Sequence, residues 1–321
     1  MTLINGDPQM ARIFTATLAA AFLSANVLAQ PIEAKLDHVI IGVHDMEAAK
    51  RVYSVLGFAI IPGGRHPGGT QNASPAFSGG GYLELITPYD ASLPDGRDLS
   101  EILKKGDGPL GAGLSIASAE QAAHDLSTAG IKIKGPTPGT ITREDDKEPP
   151  PTRWWILEFG DPASKASGPL RPEVASRPLF LIQYVRDPAH PRPPIPPNPN
   201  SASALSAILV AVNDLEKAAA GYANIGKLNS REMELPEFGA VAKEIVLARG
   251  SILLLRATDP SGPTAQRLKA RGEGLFGVRL AVTDLDQARK AISEKNISTD
   301  EQTVLVPPEN AEGAWLQFQR P

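Results

Sequence analysis

Four times along this chain a helix-capping Asp or Ser is followed, twelve positions later, by a residue that ends helices. Asp45 leads to Gly57, Ser118 to Gly130, Asp214 to Gly226 and Asp284 to Asn296. The stretches are HDMEAAKRVYSVLGF, SAEQAAHDLSTAG, NDLEKAAAGYANIG and TDLDQARKAISEKN. In each, the capping side chain accepts backbone N–H bonds of the first turn. Apolar positions such as Ala49, Val52, Tyr53 and Leu56 recur at helical spacing. Gly or Asn then takes the left-handed conformation that closes the helix. Strand-like runs follow each helix: YLELI (82–86), WWILEF (154–159) and LFLIQYV (179–185), EIVLARGSILLLRA (244–257), and GAWLQFQ (313–319). One such spacing means little, but four at a single interval predict four βαβββ modules, an α+β chain built by internal repetition.

Proline punctuates the repeat. The stretch RDPAHPRPPIPPNPNSAS (186–203) favours extended chain and separates the first two modules from the last two. The expected organisation is one domain over 34–186, a Pro-rich linker over 187–203 and a second domain over 204–321, and 321 residues suffice for two domains. Two irregular segments lie inside the first half, PYDASLPDGRDLSEILKKGDG and GTITREDDKEPPPTR. The second, charged and rich in proline, reads as a loop over one face.

The N-terminus follows a different logic. Arg12 precedes an apolar run from Ile13 to Leu23, and Val27 and Ala29 stand where a leader is cleaved. Residues 1–29 are thus expected to be a secretory signal peptide, starting at Met10 if the acidic, proline-containing stretch before it is not translated. The alternative is a buried N-terminal helix. The run is short for a bilayer span, and no later apolar stretch reaches spanning length, so a periplasmic or secreted protein without a membrane span is expected. With no cysteine, such a protein depends on its cores rather than on disulfides. A net charge of −4 without Lys/Arg runs argues against nucleic acid as a partner. No nucleophile elbow, phosphate loop, H-E-x-x-H or dinucleotide fingerprint is present.

Paired βαβββ units resemble the vicinal oxygen chelate superfamily of glyoxalase I, extradiol dioxygenases and bleomycin-resistance proteins. Within it, LDHVIIGVHDMEAAKRVYSVLGF, followed by GGRHPGGTQN and GGGYLELI, is similar to the glyoxalase-like domain group. The resemblance is specific over 36–88 and weaker toward the C-terminus. It implies tandem pairs of modules, each pair curling into a cupped, open β-barrel with helices outside. It also implies a divalent metal (Zn, Fe, Mn or Ni), held by one residue on each module's first strand and one on its last. Counted seven back from each cap, the first-strand positions are His38, Gly111, Ala207 and Gly277, and the last-strand positions are read as Glu84, Gln183, Leu254 and Gln317. The second pair therefore offers no metal site, and the second domain reads as a degenerate copy.

His38 and Glu84 are the sharpest candidates, with His66 as a third metal ligand and Glu84 as the residue to move a proton. Imidazole and carboxylate suit the metals above and leave positions for a bidentate substrate. The alternative is a strand-capping His38 with no ion. His66, Thr70 and Asn72 lie around the glycines of RHPGGTQN, which permit a tight turn and convergent donors. An ordinary polar loop reads equally well there. Arg153 and Trp155, with Gln183, complete the expected substrate-binding set, though tryptophans more often pack in cores. Function is expected to be metal-dependent lyase, isomerase or dioxygenase-type chemistry on a small oxygen-rich molecule. The rivals are a non-catalytic small-molecule binder and a protein whose cup is filled by side chains. Either a monomer or a homodimer is compatible with two full pairs in one chain.

Overall fold

A computed structural model describes residues 31–143, 146, 151–160, 179–186, 194–229, 231–292 and 301–321. The expected leader at 1–29, Asn296 and the first part of the Pro-rich linker lie outside the described residues.

The first half runs β1 (Lys35–Gly42), α1 (Met46–Val55), β2 (Ile60–Arg65), β3 (Thr70–Pro75), β4 (Tyr82–Pro88), α2 (Pro94–Leu103), β5 (Gly108–Ser115), α3 (Ala119–Thr128), β6 (Ile133–Gly139), β7 (Trp154–Phe159) and β8 (Leu179–Tyr184). The second half runs β9 (Ala202–Ala211), α4 (Leu215–Ala220), β10 (Lys227–Leu228), β11 (Met233–Leu235), β12 (Ala240–Val246), β13 (Ser251–Ala257), α5 (Pro263–Arg271), β14 (Gly274–Val282), α6 (Leu285–Ile292), β15 (Thr303–Val306) and β16 (Trp315–Gln319).

The caps act as their residue types require. Asp45, Ser118 and Asp214 accept from the backbone N–H three residues on, and Asp284 does the same for Gln287. Each half forms one sheet. The first has the order β2-β3-β4-β1-β5-β8-β7-β6, and the second β10-β12-β13-β9-β14-β16-β15 with β11 on β12. In both, the first strands of the two modules pair antiparallel at the centre and each last strand runs parallel to its own first strand. The result is a tandem of two sheets, each built from a pair of modules, as the repeat predicts. At one rim the first sheet's ends also meet, because Arg65 and Thr142 exchange backbone hydrogen bonds of 2.8 and 2.9 Å.

Alternation along the strands sorts side chains into two layers. On the helix side a single core spans both halves, and Phe58 of the first meets Phe318 of the second at 5.8 Å. The two cups differ. That of the first half holds Ile40, Ile86, Phe180 and Ile182, with α2 contributing Leu99 and Leu103. That of the second is packed with Ala, Leu and Phe side chains from β9, β12, β13 and β14. The segment PYDASLPDGRDLSEILKKGDG is therefore not wholly irregular. Pro94 occupies the first turn, where its missing N–H costs nothing, and Leu99 and Leu103 fall one helical turn apart.

The junction between halves is built rather than loose. Asn198 accepts from the Ala59 N–H and donates to the carbonyls of Ala76 and Ala202. Asn200, fully buried, donates to the Leu56 carbonyl. The end of the Pro-rich stretch thus docks beneath α1.

Candidate active site

His38 lies at the centre of the first sheet with 2% of its surface exposed, and Glu84 is 7% exposed. In the parallel ladder His38 sits opposite Tyr82, and Glu84 opposite Ile40. This two-residue offset puts both side chains on the concave face. His38 Nε2 stands 3.5 Å from Glu84 Oε2. The ring has room because Gly113 faces it across the sheet: a Cβ there would lie 2.3 Å from His38 Cε1. Tyr82 stacks on the imidazole at 4.6 Å with 14° between planes, and Phe180 meets it edge-on. Burial is the first cause that holds the Tyr82 hydroxyl well above the usual phenol range, followed by the hydroxyl of Tyr184 and the carboxylates of Glu84 and Asp37.

The RHPGGTQN turn comes to the same wall. Asn72 donates from Nδ2 to Glu84 Oε1 at 2.6 Å and accepts from the Gly64 N–H at 3.0 Å. Its close approach requires glycine at position 63, where a Cβ would overlap the Asn72 amide. His66 Nε2 points to Glu84 Oε1 at 3.9 Å, while its Nδ1 is 2.9 Å from the hydroxyl of Thr70. Nearby Asp95 has its pKa raised, by burial first and by Asp98, against a lowering from His66. Four sequence candidates, His38, His66, Asn72 and Glu84, therefore converge, with Thr70 behind His66.

The remaining candidates stand elsewhere. Gln183 points to the helix side, where its Oε1 accepts from the Ala119 N–H at the start of α3 at 2.7 Å. The ladders show why its register was misjudged. Positions equivalent to Glu84, each facing the residue two beyond the first-strand position, are Phe180, Leu253 and Gln317. The caps locate the first strands, but no cap fixes the last strands, which follow connections of unequal length. Trp155 likewise packs on the helix-side core, and Trp154 is the tryptophan in the cup, edge-on to His66 at 6.1 Å. Arg153, just before β7, pairs with Asp146 at 3.5 Å. Asp37 and Tyr82, which the sequence does not mark as site residues, border His38, and Tyr184 joins them through Asp37.

Donors of a tetrahedral ion with bonds of about 2.1 Å are about 3.4 Å apart. His38 and Glu84 meet that spacing, and His66 brings a second imidazole nitrogen to the same carboxylate from slightly farther away. Among the described residues no three acid or histidine side chains form a closed metal cluster. His38, Glu84 and His66 have the donor chemistry of a divalent-ion site, but His38 and Glu84 alone stand at the chelate spacing, and His66 lies 3.9 Å from Glu84. In the second cup Ala207, Leu253 and Gly277 supply no donor, and Gln317 is held between Arg279 and Glu237 at 2.8 Å each.

The profile of the glyoxalase-like domain matches residues 36–226, more than half of the chain. The chain belongs to the glyoxalase-like domain family. Its match begins at the LDH of β1 and continues past the first sheet through β9 and α4 to the residue before β10. Among solved structures, a hypothetical protein from Staphylococcus aureus is similar over 90% of this chain and 100% of that one, with a TM-score of 0.58 and 12% identity. A mutant 4-hydroxymandelate synthase from Streptomyces coelicolor is similar over 90% and 93%, with a TM-score of 0.60 and 11% identity. At such identities the likeness is one of fold. A comparison with curated protein sequences finds no match. Among the described residues of this glyoxalase-like chain, no helix is long and apolar enough to cross a membrane.

Proposed function

We propose that the N-terminal cup binds a small, oxygen-rich molecule and performs glyoxalase-like lyase or isomerase chemistry on it with the help of a divalent metal. One observation carries this reading: a buried imidazole Nε2 and a buried carboxylate oxygen, 3.5 Å apart, on a concave wall. Burying two such groups is costly unless they are paired or used. His38, Glu84 and His66 would hold the ion. Bound there, a divalent metal supplies Lewis acidity toward two neighbouring substrate oxygens. The chain's own residues do the rest. Asn72 anchors Glu84 Oε1, so that Oε2 is the oxygen turned toward His38 and available to take or return a proton. Trp154 and Phe180 give the cup apolar walls that exclude water from polar contacts.

The rival reading, binding without turnover, is favoured by one feature. The second module gives the cup Gly111 and Phe180 where the first gives His38 and Glu84. Calorimetry and turnover assays with α-ketoaldehydes and catechols separate the two. The enzymatic reading expects product formation that His38→Ala and Glu84→Gln abolish. Tight binding with no conversion of any bound compound would decide for sequestration.

We also propose that the protein is exported, from the leader pattern at 10–29. N-terminal sequencing of protein from the periplasm or medium is expected to start at Gln30. An intact N-terminus on cytoplasmic protein would contradict export.

A further inference from the structure

Simple alternation would place Asp37 and His38 on opposite faces of β1. A register irregularity in the β1–β5 ladder falls between Leu36 and His38. Asp37 there turns its carboxylate to His38, and Oδ2 lies 2.8 Å from Nδ1 with Asp37 only 7% exposed. The same oxygen accepts a hydrogen bond from the Tyr184 hydroxyl at 2.7 Å. The hydroxyls of Tyr184 and Tyr82 are 3.1 Å apart. Since Tyr184 has one proton and gives it to Asp37, Tyr82 is the donor in that pair. Donation therefore runs from Tyr82 to Tyr184 to Asp37, and the imidazole meets the same Oδ2.

Nδ1 is the ring nitrogen at hydrogen-bond distance from a carboxylate, 2.8 Å from Asp37 against 3.5 Å between Nε2 and Glu84, and because a carboxylate only accepts, Nδ1 carries the hydrogen. We infer that Asp37, braced by Tyr184 and Tyr82, is the positioning residue that keeps the proton of neutral His38 on Nδ1 and leaves the Nε2 lone pair directed at Glu84. This rests on the reading of His38 as the working imidazole of the cup. An imidazole with its proton on Nε2 would present a donor to Glu84 and could neither ligate an ion nor take a proton there. Tyr82 fixes the ring plane by stacking, and Gly113 leaves it space.

Long-range 1H–15N spectra of 15N-histidine-labelled protein test the assignment, at about two pH units above the ordinary histidine pKa of about 6.5. The chain has five histidines, and the signals missing from His38→Ala identify those of His38. The expected spectrum shows a protonated Nδ1 and an unprotonated Nε2 in the wild type. In Asp37→Leu the tautomers are expected to mix or invert. A wild-type proton on Nε2 overturns the inference by itself, even if the variant fails to fold. An unchanged His38 pattern in a folded Asp37→Leu protein also overturns it. With Zn2+ alone as probe, Asp37→Leu is expected to bind roughly 10- to 100-fold more weakly than wild type. Failure of the wild type to bind Zn2+ would rule out zinc as the ion of the preceding subsection, while the nitrogen spectrum still decides the tautomer.

Discussion

The site depends on single residues making room for others. Gly113 has no left-handed backbone angle to protect, so its replacement by alanine would ordinarily stabilise by about 0.4–1 kcal/mol through the unfolded chain. Here the added methyl meets the His38 ring. Gly113→Ala is therefore expected to reverse the sign and destabilise by about 1–3 kcal/mol, the usual cost of overpacking, with a displaced imidazole. Urea unfolding measures the first effect, and the His38 ring signals report the second. A stabilised variant with an unmoved ring would refute the packing described for β5. At this scale the shared placement of His38, His66, Asn72 and Glu84 was legible, because each residue's chemistry marks it in the sequence. Asp37 was not legible, because only a ladder irregularity brings it to the face of its neighbour. Trp154 was exchanged for Trp155 because alternation determines that adjacent tryptophans diverge, but not which one faces inward.

Among elements, helix caps carried most of the readable information. Each cap announces a helix and, seven residues earlier, the place of a first strand. The central pairings of both sheets agree with that spacing, since His38 and Ile40 meet Gly113 and Gly111 just as Ala207 and Leu209 meet Arg279 and Gly277. Last strands lack any such marker, and Gln183 was lost for that reason. Helix α2 was hidden by the proline and glycine of its first turn, which on their own read as turn formers. Its burial makes it testable. Leu99 is fully buried in the cup cluster, so Leu99→Ala is expected to cost about 2–5 kcal/mol. Ligand affinity should fall with it if α2 shapes the cup. A cost under about 1 kcal/mol would mean that α2 is only loosely seated.

For the whole molecule, the halves act as one body with two fates for the same cup. The first keeps polar groups on its wall, and the second is filled. Their contact includes a carboxyl cluster. Burial first, then the hydrogen bond and charge of Asp107, then the charge of Asp45 push Glu312 up to about 7. Around it, His44 pairs with Asp107, and Arg271 donates to the Asp107 carbonyl at 3.1 Å. A carboxyl raised in the folded state binds more protons than the unfolded chain between its ordinary 4.5 and about 7, so stability falls as pH rises through that window. Glu312→Gln is expected to flatten the decline in urea midpoint between about pH 5 and about pH 7.5 and to raise stability at the upper end. Identical pH profiles for variant and wild type would show that the cluster does not strain the junction. The central claim remains the joint use of His38 and Glu84, and the most direct test is the divalent-metal content of protein purified without a metal-affinity tag, measured by mass spectrometry. The wild type is expected to carry close to one ion per chain, falling to background in His38→Ala. A wild-type protein that is metal-free and stays so when offered Zn, Fe, Mn or Ni would contradict that claim.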